Sequence, residues 1–213
     1  MNLQNVIKKL DDGLIDKAIK NLLKQQAKFH GMNAVEEYLW IQKRFKDIDV
    51  SIDKRKDGED TERTFQGEFE KFYQVGAARK NLEWKNKFYS YMQEIRSHKD
   101  PSFADALRYM KKHGGKFDKS FVSKMIATID PSRPVIDIWV SDFFGLQLPN
   151  TKSKHIETEI IRAYEDLRCA YVALLETGKA KDMIKKFDKV FPQYLNLITP
   201  IKKVDFILWQ KRD

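Results

Sequence analysis

The chain has 213 residues, 42% hydrophobic and 33% charged, with 40 Lys and Arg against 31 Asp and Glu and a net charge of +9. That balance excludes a wholly disordered chain and suits one good-sized core, while no apolar run approaches the roughly 18 to 20 residues of a membrane-spanning helix. A single cysteine, Cys169, excludes an internal disulfide; with no signal-peptide pattern at Met1–Lys9, the expected location is the cytoplasm.

The apolar spacing is helical almost throughout, so the expected fold class is all-α. Leu3, Val6, Ile7 and Leu10 form one helical face, interrupted at Asp11-Asp12-Gly13. Asp12 reads as the N-cap of a second helix that Gly31 ends, and Asn33 as the cap of a third helix reaching Phe45. The stretch from Asp47 to Glu62 is polar and reads as an exposed loop with a short strand at Val50–Ile52. It divides a single helical domain, 1–213, into two lobes, 1–60 and 61–213. From Thr64 to Ile95 aromatic side chains alternate with Lys71, Lys80, Lys85 and Lys87. Such interleaving can serve nucleic acid, but Phe65, Phe69, Phe72 and Tyr73, and again Trp84, Phe88 and Tyr91, keep helix-face spacing and read as core.

Further helices are expected over Ser102–Lys112, Phe121–Ile129, Ile138–Phe144, Ile156–Glu176, Ala180–Phe187 and Val204–Trp209. Gly114-Gly115 stops the first of these, and Asp130–Pro134 is a turn. Cys169, among apolar neighbours on its helix, reads as buried. His30, His98, His113 and His155 lack metal-ligand spacing, and no metal or other cofactor is expected. The excess of basic residues makes a polyanion, nucleic acid above all, the natural partner.

The segment that carries chemistry runs from Gly114 through Lys116, Lys119 and Lys124 to Pro134-Val135-Ile136-Asp137-Ile138-Trp139-Val140. It reads as helix, glycine turn, helix, tight turn, and an aspartate opening another helix. Over about 30 residues it resembles the catalytic region of helix-hairpin-helix DNA glycosylases of the endonuclease-III kind. In that family a Gly-rich hairpin precedes a lysine, and a Val-Asp string follows with the catalytic aspartate. Lys119 precedes Asp137 by eighteen positions, the offset of that family. Two features depart from it: Phe117 stands at the second hairpin glycine, and no four-cysteine cluster is present, so no iron–sulfur cluster is implied. Strings around Ser120–Lys124, Pro134–Asp137 and Val204–Trp209 also resemble bacterial proteins with no assigned activity.

The resemblance implies double-stranded DNA as partner, with Gly114, Gly115, Lys116 and Trp139 meeting it. Asp137 would stabilise positive charge on the sugar as an N-glycosidic bond breaks, and Lys119 or Lys124 would attack the sugar carbon. Trp139 or Phe143 would line a pocket for the extruded base. From the residues alone, a plain helix cap is the favoured reading of Asp137, and Lys119 and Lys124, off the apolar face of their helix, read as solvated lysines. Two functions follow: a glycosylase-type enzyme removing a damaged or modified base, or a non-enzymatic helical module binding DNA or a protein.

Overall fold

The structure is a computed structural model and describes residues 3–24, 31–53, 63–75, 80–149 and 152–210. Residues 25–30, where the second helix was expected to continue and where His30 lies, fall outside that set, as does 54–62 of the polar stretch. The described residues are all-α, with no strand among them. In chain order the helices are α1 (Leu3–Lys8), α2 (Asp12–Lys24), α3 (Ala34–Asp47), α4 (Phe65–Phe72), α5 (Leu82–Glu94), α6 (Phe103–Gly114), α7 (Lys119–Ile129), α8 (Ile138–Phe144), α9 (Ile156–Leu175), α10 (Gly178–Val190) and α11 (Pro200–Trp209). Val50–Ile52 is a turn, not a strand: the Ser51 amide and hydroxyl both bond to the Asp49 carboxylate, an Asx-type closure that competes with extended backbone.

Caps set the helix starts. Asn33 makes a full capping box with Glu36 at the start of α3, and Thr64, Asn81, Ser102, Thr177 and Thr199 cap α4, α5, α6, α10 and α11. At α2 the capping oxygen belongs to Asp11, which accepts the Leu14 amide at 2.7 Å. Asp12 is instead the first residue of the helix, and its carboxylate receives Lys179 and Lys186 at 3.2 and 3.0 Å. Those two lysines hold the Asp12 carboxyl below its ordinary range, Lys186 most strongly.

The chain divides into two compact units, 1–24 with 131–213, and 25–130. The sequence reading placed the division near residue 60. The first unit closes by joining both chain ends, which no local signal in the sequence announces.

In the first unit α11 is the central helix. It packs against α2, α8, α9 and α10, and every residue from Ile201 to Trp209 is buried. Its charges are neutralised in place. Lys202 Nζ meets Asp205 Oδ2 at 2.8 Å, the other Asp205 oxygen accepts the Tyr171 hydroxyl at 2.9 Å, and Lys203 meets Asp188 and the Leu195 carbonyl. Burial in turn pushes the Tyr171 hydroxyl well above the usual tyrosine range, with the charges of Asp205 and Asp137 adding to it. Along α9 the buried stripe passes through Leu167, Ala170, Tyr171 and Leu174. Cys169 lies off that stripe and is exposed, against the expectation of burial.

The second unit is built on aromatic packing. Phe65, Phe69, Phe72, Tyr73, Trp84, Phe88 and Tyr89 are all buried, with Phe69 against Tyr73, Phe88 and Tyr89 at 4.8 to 5.9 Å between ring centres. The aromatic stretch is therefore mainly core, as its spacing predicts, except that Tyr91 is half-buried and Tyr89 takes the buried place on α5. Beneath it α3 and α4 face each other across Glu37 and Glu68. Glu37 accepts Arg63 at 2.6 Å, yet burial, with Glu68 beside it, raises its carboxyl to about 7.

Candidate functional site

The turn between α6 and α7 follows from its two glycines. Gly114 ends α6 where an added Cβ would lie 2.7 Å from the Trp84 ring, so only glycine admits the indole. Gly115 takes the left-handed conformation, φ 75°, which glycine adopts without the clash that other residues suffer. The chain then reverses through Lys116, Phe117 and Asp118 into α7, and α6 and α7 pack against each other.

Two of the turn's amides are used within the turn itself. Asp118 N–H bonds back to the Lys116 carbonyl at 3.1 Å, and Lys119 N–H to the Phe117 carbonyl at 2.9 Å. The amides of Lys116 and Phe117 carry no backbone hydrogen bond among the described residues. Lys111, Lys112 and Lys116 are exposed and Lys119 half-buried. Lys111 Nζ folds onto the Gly115 carbonyl at 2.8 Å and over the Phe117 ring at 5.3 Å, which fixes one ammonium on the outside of the turn.

Asp118 has a role in the turn that its place in the sequence does not announce. It precedes α7 in the position of a cap but makes no side-chain cap bond. Its carboxylate instead accepts Lys80 Nζ at 2.5 Å and the Trp84 Nε1–H at 2.8 Å. Lys80 lies over the Trp84 and Phe121 rings, 4.7 and 5.3 Å from their centres. An aspartate just before a helix is the signal for a cap; that it is spent on a lysine 38 positions earlier is a tertiary fact.

Of the three residues expected to catalyse, Lys124 departs from the solvated reading. It is buried, with its Nζ bonded to the Tyr73 carbonyl at 3.0 Å and lying 5.0 Å from the centre of the Phe121 ring. The solvated reading fails because α7 is covered on several sides: every residue from Val122 to Thr128 is buried. Lys119 opens α7 as its first residue. Asp137 is the N-cap of α8, its Oδ1 accepting the Trp139 amide at 2.9 Å. Lys119 and Lys124 belong to one compact unit and Asp137 to the other.

Around Asp137, Val135 and Ile136 point inward and are buried, whereas Ile138 and Trp139 are 70% and 46% exposed. Phe143 is buried, not a lining residue of an open pocket; Lys9 bonds its carbonyl at 3.1 Å and so caps the end of α8. His98, His113 and His155 are exposed, and no group of three or more potential metal ligands occurs among the described residues. No helix among them is long and apolar enough to cross a membrane. Comparison with protein-family models, with curated proteins and with solved structures finds no match.

Proposed function

We propose that the protein is a non-enzymatic helical module that binds double-stranded DNA through its phosphate backbone, with the α6–α7 turn as the contact surface. The observation that carries this reading is the turn itself. Amides of Lys116 and Phe117, left without backbone partners, sit among Lys111, Lys112, Lys116 and Lys119 with Asp118 tied up by Lys80. The start of α7 adds the positive end of its dipole. Amides and lysines of this kind position a protein on phosphates and carry no sequence information, and the net charge of +9 favours the encounter.

The enzymatic reading has less to draw on. One oxygen of Asp137 serves its own helix, and Lys124 is committed to a carbonyl in the core. One observation keeps base excision as a second reading: Trp139, half exposed beside Asp137, is an aromatic surface that an extruded base could meet.

Fluorescence anisotropy with a short undamaged duplex and the same duplex carrying an abasic-site analogue separates the two. The module reading expects equal affinity for both duplexes, decline with added salt, and no effect of Asp137→Asn. A preference for the lesion that disappears in Asp137→Asn would replace it with the glycosylase reading. Absence of binding to either duplex at low salt rejects both.

A further inference from the structure

Beside the turn lies a cleft of about 250 Å³ between the start of α5 and the end of α6. Trp84 and Gly114 line it, joined by Lys80, Lys116, His113 and Glu83; a further lining residue, Asn81, is already engaged in capping the Trp84 amide. The indole edge is fixed by Asp118, and the missing Cβ of Gly114 lets the ring seat against the end of α6, which sets the wall of the cleft. Lys80 is held by Asp118, so exposed Lys116 is the cationic group that faces a ligand, with the His113 ring beside it and one carboxylate, Glu83, opposite in charge.

His113 also ends a stack of rings. Tyr91 of α5 stacks on Tyr109 of α6 at 3.9 Å between centres and 12° between planes, and Tyr109 meets the His113 ring, one helical turn on, at 4.4 Å with a tilt of 39°. Both tyrosines are half-buried and His113 is exposed, so the ladder runs outward from the α5–α6 seam. Burial, with the charges of Asp105 and Glu94 for Tyr91 and of Glu94 for Tyr109, holds both phenols above their ordinary range, so the two tyrosine rings stay neutral. A stack of flat rings whose last member borders a cleft offers a surface for one more flat ring.

From this we infer that the cleft takes a single unpaired nucleotide, its base continuing the Tyr91–Tyr109–His113 stack and its phosphate meeting Lys116. Every base has a ring face, so stacking of this kind accepts any of them. The inference rests on the nucleic-acid reading of the neighbouring turn and extends it from duplex backbone to an unpaired strand.

The test is a titration of the ¹⁵N-labelled full chain with a blunt duplex, with a short oligothymidylate and with free thymidine monophosphate. The oligothymidylate is expected to shift the His113 and Gly114 amides and the Trp84 indole N–H, while the duplex shifts only Lys116 and Phe117. Shifts at Lys116 and Phe117 without any at His113 or the Trp84 indole, in all three titrations, would overturn the inference and leave the duplex reading standing. No shift with any ligand would remove both. The same cleft shifts with free thymidine monophosphate at equal affinity support the cleft and assign it to a nucleotide in place of a strand. His113→Ala should weaken oligothymidylate binding about tenfold, and His113→Phe, which keeps the flat ring without its proton, should hold affinity within about twofold. Equal loss in both variants would contradict stacking.

Discussion

On α11, Lys202, Lys203 and Asp205 are buried and each is matched by a partner, whereas around the α6–α7 turn Lys111, Lys112 and Lys116 stand in solvent. Both regions are lysine-rich and follow a glycine or proline start signal, yet their ions have opposite obligations. A buried ammonium left without a partner lowers stability, since its desolvation costs several kcal/mol. An exposed one contributes little to stability and is available to a ligand. The contrast makes α11 the part of the molecule where charge specifies structure, and the turn the part where charge can specify binding.

The sharpest break of that contrast is Asp205→Ala. It leaves Lys202 charged and buried with the Tyr171 hydroxyl unmatched. Urea unfolding should show a loss of about 3 to 5 kcal/mol, or roughly 10 °C in Tm. Replacing the pair together, Lys202→Met with Asp205→Leu, should recover most of it. A loss below about 1 kcal/mol in the single variant would mean that the pair is not structural.

Second in size is the pH dependence set by Glu37. Its carboxyl is raised to about 7 by burial, with Arg63 opposing and Glu68 adding to the rise; Lys71 lies 3.9 Å from Glu68 on the same side. A raised acid holds its proton longer in the folded state than in the unfolded one. Its contribution is therefore fully present below the ordinary glutamate range and is lost as pH rises toward about 7. Tm should fall over that window by about 3 °C or more from this group, and Glu37→Gln should flatten the slope. A slope unchanged in Glu37→Gln would contradict the assignment.

Smaller still is Gly115→Ala, which places a Cβ at φ 75° and should cost about 1 kcal/mol in thermal unfolding. Because nothing lies within 4 Å of that Cβ, the cost is one of backbone conformation alone, and Gly115→Asn should lose less than the alanine variant. Equal losses would point to a steric origin.

Much of the helix layout was legible in the sequence. The bounds of α8, Ile138–Phe144, fall where they were expected because a capping aspartate and a left-handed glycine, Asp137 and Gly145, bracket it. The aromatic periodicity gave the core of the second unit for the same local reason. What failed was tertiary. Two adjacent aspartates, Asp11 and Asp12, cannot be ranked as caps without knowing that Lys179 and Lys186 arrive from α10. Lys124 looked solvated because periodicity marks one apolar face, while α7 is enclosed on several. Cys169 was misjudged by its neighbours in sequence rather than by the stripe of α9. In the candidate site the glycine turn and its lysines were visible, but not the Lys80–Asp118–Trp84 cluster beside them, which joins residues far apart in the chain.

The most direct test of the turn as a DNA contact is the salt dependence of duplex affinity for the wild type and for Lys112→Ala/Lys116→Ala/Lys119→Ala. Three lost phosphate contacts should reduce the slope of log affinity against log salt by about 3, with unfolding free energy changed by no more than about 0.5 kcal/mol per position. An unchanged slope in a stably folded triple variant would contradict the account and send the positive charge to another surface.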